Sequence, residues 1–234
     1  MAPDRAKYRI VVLGNLENRL WAKSEKYAPV LQYSSLRLLT SMATENCRIL
    51  RQGDCKNAFC NSKLPVDETT IIKPPSGNPD AKKDVFWILK KTLYGLGHST
   101  RHWYRLVTFI LVGMVLQPSF HDPCLFKGVP LSEASPASST DKPIHIEIYM
   151  DDFVYFLEDT ATEQCFERLL ASKLRVDFIG TINWFLGTHF EWSPQKYGTL
   201  SCHLSQEASA QNIVDSYRLA DINFNPLATP YQSG

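Results

Sequence analysis

The sequence lacks the cysteine and histidine spacings that hold structural zinc. Its six cysteines form no C-x-x-C pair, although such pairs are the usual half-site of a zinc module. The nearest approach is His121-x-x-Cys124, a lone pair with no second half, and such pairs are usually structural. We therefore predict free thiols in a reducing setting and no zinc module.

Membrane and secretion signals are lacking too. No signal peptide is present, and the longest apolar run, residues 107–116, is too short to span a bilayer. A Gly-rich phosphate-binding loop ending in Lys is also missing, which counts against a hydrolase of that type. Net charge is only +1, so any basic surface for nucleic acid must be local. These features predict an intracellular protein with no membrane partner.

Hydrophobic residues are abundant enough for a substantial core. They make up 44% of the 234 residues, and 12% are aromatic, which fits one large domain or one with two lobes. Ser, Ala and Pro are concentrated in residues 128–143, which predicts a flexible loop. The predicted strands are residues 8–13, 48–55, 85–89 and the two arms of 144–157; the predicted helices are residues 36–43, 99–114, 162–174 and 205–219. This mixture, without a strict βαβ rhythm, favours an α+β fold.

The most informative segment is residues 144–157. Ile144, Ile146 and Ile148 alternate with more polar residues, which predicts a half-buried strand, and a second β-prone run follows Asp152. Two such strands predict a hairpin with Asp151 and Asp152 at its tip. A plain Asp turn is the alternative. Adjacent carboxylates repel each other, however, and a divalent cation would relieve that repulsion.

A third carboxylate from another strand is needed to hold two metal ions, and Asp54 is the candidate. It follows the strand-like run of residues 48–53. Taken alone, Asp54 is more typical of a strand end or turn. Beside the hairpin it completes a set of hard oxygen ligands of the kind that Mg²⁺ prefers. Two ions about 3.5–4 Å apart can clamp an attacking 3′-oxygen and a leaving pyrophosphate, the chemistry of nucleotidyl transfer.

Seven short motifs, among them Tyr149-Met150-Asp151-Asp152 and Leu93-Tyr94-Gly95-Leu96, occur in order along nearly the whole chain. Together they resemble those of copia-type LTR-retrotransposon reverse transcriptases. Tyr149-Met150-Asp151-Asp152 resembles the catalytic box of that family. The segment Leu93-Tyr94-Gly95-Leu96, with Ser99, Arg101, Trp103 and Tyr104 behind it, is similar to the signature Leu-Tyr-Gly-Leu-Lys-Gln-Ser-Pro-Arg-x-Trp-Tyr. The other matches are Lys7-x-Arg9-Ile10-Val11, Ala28-Pro29-Val30, Asp54-x-Lys56-x-Ala58-Phe59, Asp122-Pro123-Cys124-Leu125-Phe126 and Phe185-Leu186-Gly187.

The resemblance implies a fingers-and-palm architecture, in which an antiparallel palm sheet is backed by helices. Residues 1–234 would form a single catalytic module whose thumb is partial, near residues 205–234, or absent. Asp54, Asp151 and Asp152 would bind two Mg²⁺ ions, with Mn²⁺ as a substitute, and catalyse RNA-directed DNA synthesis. The implied partners are an RNA or DNA template with its primer, dNTPs, and other Pol polyprotein parts such as integrase and RNase H. The implied locations are the cytoplasm, virus-like particles or the nucleus.

Further site residues follow from the motifs and from local composition. The dNTP-binding candidates are Lys7, Arg9, Phe59, Tyr94, Gly95 and Met150. The nucleic-acid-binding candidates are Lys90, Lys91, Arg101, Tyr149, Phe185, Leu186 and Gly187. By resemblance, Phe59 is a steric gate against the 2′-hydroxyl; a plain core phenylalanine is the alternative. Lys7 and Arg9 suit a triphosphate, and a solvated surface pair is the alternative.

Two neighbouring departures from the signature leave a second function open. Gly97-His98 stands where the signature has Lys-Gln, and Thr100 stands where it has Pro. The changes remove one positive charge and loosen the turn, which would weaken template binding without touching the metal site. The alternative to an active polymerase core is therefore an inactive retroelement fragment that folds and at most binds nucleic acid.

Overall fold

The computed structural model describes residues 9–17, 19–129, 143–157 and 160–217. Its helices are α1 Lys23–Lys26, α2 Tyr33–Glu45, α3 Ser99–Gly113, α4 Thr160–Lys173 and α5 Glu207–Ser216. Its strands are β1 Arg51–Cys55, β2 Ile71–Ile72, β3 Trp87–Ile88, β4 Gln117–Pro118, β5 Leu125–Gly128, β6 Ile144–Tyr149, β7 Asp152–Leu157, β8 Val176–Thr181, β9 Trp184–Phe185, β10 Thr188–Pro194 and β11 Leu200–Ser205. No helix in this described part is long and apolar enough to cross a membrane.

The chain divides into two compact units, Met1–Thr181 and Ile182–Gly234. In the first, six strands form an antiparallel sheet in the order β4-β5-β6-β7-β1-β8, and β2 pairs with β3. In the second, β11, β10 and β9 form an antiparallel sheet, and α5 follows β11. The predicted α+β class, with an antiparallel sheet backed by helices, is confirmed. That residues 1–234 act as a single module stays a prediction.

The core of the first unit lies between the sheet and helices α3 and α4. From the sheet, Ile144, Ile146 and Ile148 of β6 share this core with alternate residues of β7. The helices contribute Trp103, Val107 and Leu111 from α3 and Phe166, Leu170 and Leu174 from the region of α4. Burying a side chain of this size contributes about 1.5–3 kcal/mol. Removing apolar area from water therefore holds the β6–β7 hairpin against both helices.

The strand predicted over residues 144–149 forms as β6, but the prediction that it is half-buried is wrong. His145 and Glu147, on the other face of β6, are buried as well. His145 stacks on Phe156 of β7 with ring centroids 4.9 Å apart. β6 is a central strand with a neighbour on each side, and buried side chains cover both of its faces. The alternation of residue types therefore does not mark a solvent face.

Three other predicted elements differ from the structure. The strand expected at residues 8–13 does not form over residues 9–13, where Val12 N–H instead donates to the Tyr94 carbonyl. The helix expected from Ser205 begins at Glu207, because Ser205 is the last residue of β11. The predicted loop at 128–143 begins inside β5, and its residues 130–142 lie outside the described part. Residues 218–234 of the expected thumb also lie outside it.

Candidate active site

Backbone register brings carboxylates from two separated strands together. In the antiparallel pair of β1 and β7, Asp54 lies directly opposite Asp152. Asp151 lies in the turn that joins β6 to β7, immediately before Asp152. The Cys55 amide donates to the Asp151 carbonyl at 2.7 Å, so the end of β1 is tied to this turn. Three acidic residues therefore converge at one edge of the sheet.

Gly53 makes this approach feasible. A β-carbon at residue 53 would lie 2.2 Å from Cζ of Phe153, the residue opposite it on β7. Any larger residue would collide with that buried ring, which belongs to the main core. The Gly53-Asp54 pair thus combines a strand position that must be small with one that carries a carboxylate.

Met150, in the turn of the β6–β7 hairpin, has a backbone conformation that is costly for any residue other than glycine. Met150 has a φ of +54°, in the left-handed region that non-glycine residues seldom adopt. Its carbonyl accepts a hydrogen bond from the Trp103 indole Nε1 at 2.5 Å. Because Trp103 is anchored in the core by its own burial, helix α3 holds the turn in place. The carboxylates sit at Asp151 and Asp152 as expected, but the turn itself consists of Met150 and Asp151.

The neighbouring carboxylates raise the proton affinity of Asp152. Burial, followed by the charges of Asp151 and Asp54, raises the pKa of Asp152 to about 6. Burial and the same three aspartates raise the pKa of the Cys55 thiol to about 12. Cys55 is therefore a neutral thiol at neutral pH. The local field is strongly negative, which favours a bound cation.

The donor set fits a hard divalent ion. All three side chains offer carboxylate oxygens, the ligands that Mg²⁺ prefers. Among the described residues, no Lys or Arg nitrogen lies within 4.0 Å of the carboxylates of Asp151 or Asp152. Oxygens of the three aspartates do not all come within 4.8 Å of one another.

Phe59, Tyr94 and Arg9 form a column beside the aspartates. Phe59 lies in the 3-10 turn Ala58–Asn61 just after β1 and packs against the main core. Its ring meets Tyr94 edge-on, with centroids 4.8 Å apart, and the Arg9 guanidinium lies 4.4 Å from the Tyr94 ring centroid. Burial first, then the charge of Asp151, raises the pKa of Tyr94. The column therefore reaches from the core to the field of the carboxylates.

Gly95 fills a position that no other residue fits. Its φ is +92°, and a β-carbon there would lie 1.9 Å from the Val12 carbonyl oxygen. Val12 is also the residue whose amide donates to the Tyr94 carbonyl. The close pairing of these two segments sets the position of Tyr94. Lys7, predicted to act with Arg9, lies outside the described residues.

The predicted nucleic-acid residues of the first unit fall into separate places. Lys90 and Lys91 are exposed, and their charges border an apolar groove lined by Phe86, Trp87 and Ile88. Arg101 donates through Nη1 to the Glu25 carbonyl at 3.3 Å, so α3 carries it toward α1. Tyr149 ends β6, paired with Asp152. Only Tyr149 of these is next to the aspartates in the sheet.

In the second unit, Phe185, Leu186 and Gly187 form a tight hairpin. Phe185 pairs with Thr188, so Leu186 and Gly187 are the two turn residues, with φ values of +49° and +73°. Positive φ at both positions is the requirement of a two-residue turn between twisted strands. Ser209 of α5 donates to the Gly187 carbonyl at 2.8 Å. The roles of these three residues, and of the other site residues, stay predictions.

Two features of the first unit were not predicted from the sequence. One is the bond from Trp103 to the turn, because nothing in the sequence points the indole nitrogen of Trp103 at residue 150. The other is a cluster of Glu68, His98 and His102, whose ligand atoms all lie within 4.8 Å of one another. The judgement that the histidines supply no metal-binding spacing is therefore incomplete. A His98-x-x-x-His102 repeat at the start of a predicted helix was the available signal.

Comparison with known proteins identifies one family across the chain. The sequence model described as "Reverse transcriptase (RNA-dependent DNA polymerase)" matches residues 3–233. The chain is 27% identical over 229 residues to "Retrovirus-related Pol polyprotein from transposon RE2" of Arabidopsis thaliana, which covers 97% of this chain and 14% of that protein. It is 24% identical over 227 residues to "Retrovirus-related Pol polyprotein from transposon TNT 1-94" of Nicotiana tabacum, covering 97% of this chain and 16% of that protein.

These matches confirm the resemblance that the motifs carry. The chain spans only 14% and 16% of the length of those two Pol polyproteins. No solved structure matches the chain.

Proposed function

The chain belongs to the reverse transcriptase (RNA-dependent DNA polymerase) family, and on that basis we propose that it is the RNA-directed DNA polymerase core of a copia-type retrotransposon. The observation that carries the proposal is the register of Asp54 opposite Asp152, beside the turn at Asp151. The reaction is transfer of a deoxynucleotide from a dNTP onto a primer 3′-hydroxyl. Its partners are an RNA or DNA template with primer, and other Pol parts such as integrase and RNase H.

The three aspartates supply the ligands. Members of this family work with divalent metal ions, and we assign Asp54, Asp151 and Asp152 as the residues that hold two Mg²⁺ here. When bound, the ions activate the 3′-hydroxyl and neutralise the charge that develops on the leaving pyrophosphate. The pKa of Asp152, raised to about 6 by its burial and its neighbours, leaves that carboxylate mainly ionised at neutral pH. Trp103 acts as a positioning residue, because it fixes the Met150 turn from which two ligands project.

The column of Phe59, Tyr94 and Arg9 would select the sugar of the incoming nucleotide and bind its triphosphate. Phe59 packs against the main core and makes an edge-on ring contact with Tyr94. A rigid ring beside the metal ligands can exclude a 2′-hydroxyl, which supports its assignment as a steric gate. The Arg9 guanidinium lies over the Tyr94 ring. Arg9 would pair with the triphosphate, since a guanidinium forms strong charge-assisted bonds to phosphate oxygens. Lys90 and Lys91 would hold the nucleic-acid backbone.

Primer extension on an RNA template tests the proposal. The purified chain, an RNA template with an annealed DNA primer, dNTPs and Mg²⁺ should give extended primer, and EDTA or Asp151→Asn should abolish the product. Failure of the wild-type chain to extend any primer at stoichiometric concentration would contradict the proposal. It would leave the alternative, a folded fragment that at most binds nucleic acid, which a filter-binding assay with the same duplex would measure.

A further inference from the structure

Glu68, His98 and His102 form a second cluster of ligand side chains, made from elements that do not carry the catalytic aspartates. Glu68 ends the 3-10 turn Val66–Glu68, His98 is the N-cap residue of α3, and His102 follows in its first turn. Residues four apart lie on the same side of a helix, so the two imidazoles project toward the same carboxylate. Their ligand atoms all lie within 4.8 Å of one another.

The ring of His98 packs against Trp21 with centroids 4.1 Å apart, but that packing leaves its two ring nitrogens unexplained. Its side chain is fully buried, yet neither Nδ1 nor Nε2 has a hydrogen-bond partner among the described residues. Burying a polar group without a partner costs about 1–3 kcal/mol, and buried imidazoles are normally satisfied. Glu68 Oε2 lies 3.9 Å from His98 Nε2, too far for a hydrogen bond, while it lies 2.5 Å from His102 Nε2.

The pKa of His98 and the charges near it favour a bound cation. Burial, and then the neighbouring His102, lowers the pKa of His98, which keeps its imidazole neutral and its lone pair available at neutral pH. Glu17 adds negative charge near His98 and Arg19 adds positive charge. The Arg19 guanidinium is already engaged: it lies 3.8 Å from the Trp21 ring centroid and 3.4 Å from the Glu25 carboxylate.

We propose that Glu68, His98 and His102 bind a divalent transition-metal ion of the Zn²⁺ type. Two imidazole nitrogens and one carboxylate oxygen are a donor set typical of zinc and its neighbours, whereas Mg²⁺ prefers oxygen alone. Zinc–ligand bonds of about 2.0–2.1 Å in tetrahedral geometry place neighbouring ligand atoms about 3.3 Å apart. The two Glu68–His separations of 2.5 and 3.9 Å lie on either side of that value and each differs from it by less than about 1 Å.

The bound ion would hold two segments of the chain together. It joins the turn that contains Glu68 to the start of α3, directly after the segment that carries Tyr94 and Gly95. Ser99 Oγ already donates to the Leu93 carbonyl at 2.7 Å, so a fixed helix start also fixes that segment. His98 occupies a position where the copia-type signature quoted above has Gln, so the site would be a feature of this chain and not of the signature.

Metal titration of the purified 234-residue chain tests the proposal. After treatment with a chelator, the wild-type chain is titrated with Co²⁺ by visible absorption and with Zn²⁺ by calorimetry. We expect one tightly bound equivalent, since the three aspartates offer only carboxylate oxygens and should hold these ions more weakly. This equivalent should give d–d absorption without the thiolate-to-cobalt charge-transfer band that a cysteine ligand would give. Zn²⁺ should also raise the Tm, because a ligand that binds only the folded state stabilises it.

Two ligand variants and two controls make the test specific. His98→Gln, which restores the signature residue, and Glu68→Gln should each weaken binding by at least about 10-fold, the lower end of what losing even an outer-shell partner costs. His121→Gln, at an exposed histidine outside the cluster, and Asp151→Asn should bind as wild type does. If His98→Gln does not fold by circular dichroism, Glu68→Gln decides.

The proposal is overturned if the wild-type chain binds neither ion, if both ligand variants bind as wild type does, or if the thiolate band appears. Because Asp151→Asn is expected to keep the site, loss of polymerase activity and loss of this metal are separate results.

Discussion

Asp54 and Asp152 face each other across the antiparallel pair of β1 and β7, although 97 residues separate them along the chain (152 − 54 − 1). The pairing depends on Gly53, whose missing side chain makes room for the Phe153 ring. It also depends on the Cys55 amide, which bonds the turn at Asp151. The geometry of the candidate active site is therefore set by backbone pairing and not by flexible side chains.

The bond from Trp103 to the Met150 carbonyl should matter more for activity than for stability. Trp103→Phe keeps most of the apolar burial and removes one hydrogen bond, which costs about 1 kcal/mol of unfolding free energy. Because the Met150 turn is strained, we expect the turn to relax and primer extension to fall by about 10-fold or more.

Trp192→Phe is the matched control for that change, since Trp192 Nε1 donates to the Ile182 carbonyl in the second unit. It should lose similar stability and keep its activity. Urea unfolding and single-nucleotide incorporation measure the two effects. Equal activity loss in both variants would show that Trp103 has no special role at the turn.

Phe59 should control the choice of sugar. Phe59→Val removes the ring that packs between the core and Tyr94 and opens space beside the aspartates. We expect the ratio of rNTP to dNTP incorporation to rise by about 10-fold or more, since a change of pocket size of this kind alters selectivity by that order. Phe120→Val, at a residue that is 93% exposed, should leave the ratio unchanged. A ratio that does not move in Phe59→Val would make Phe59 a plain core residue.

Glu147 should make the fold less stable at higher pH. Burial, and then the charge of Asp122, raises its pKa from 4.5 to about 8, and its oxygens have no hydrogen-bond partner among the described residues. Between these two pKa values the folded chain binds a proton that the unfolded chain releases. Stability therefore falls as pH rises, by up to ~1.4 kcal/mol per pH unit from this group.

Glu147→Gln should flatten that dependence, so its advantage over wild type grows from pH 5 to pH 8 in urea unfolding experiments. Glu191→Gln, at an exposed glutamate of β10, should follow the wild-type curve. Parallel curves for wild type and Glu147→Gln would mean that the buried carboxylate is not protonated in the folded chain.

Sequence patterns predicted the hairpin of β6 and β7 and the helices α2, α3 and α4, because strong apolar periodicity and turn residues mark them. They also identified Asp54 as the third acidic residue. They did not predict strands β2, β4, β5, β8, β9, β10 and β11, although β9, β10 and β11 pair with their neighbours in sequence. Strand formation is decided by context more than by local propensity. The strand predicted at residues 8–13 does not form over the described residues 9–13 for the same reason.

The second ligand cluster was missed for a related reason. His98 and His102 are close in sequence, but Glu68 lies 30 residues before His98 (98 − 68), so only the folded chain brings the third ligand near. The buried state of His145 and Glu147 was missed because neither face of a central strand needs to be polar, and polar residue types on β6 suggested otherwise. Tertiary packing, and not local pattern, determines both features.

The most direct test of the account is the single-turnover rate of dNTP incorporation on an RNA template in Asp54→Asn and Asp177→Asn. Asp177 lies opposite Asp54 on the other neighbouring strand, β8, and forms an exposed ion pair with Lys56 at 2.7 Å. If Asp54 holds the metal ions, Asp54→Asn loses several kcal/mol of transition-state stabilisation and slows at least about 100-fold. Asp177→Asn, which loses an exposed pair worth ~0–1 kcal/mol, stays within about 5-fold of wild type. An Asp54→Asn chain that incorporates nucleotide as fast as Asp177→Asn would contradict the account.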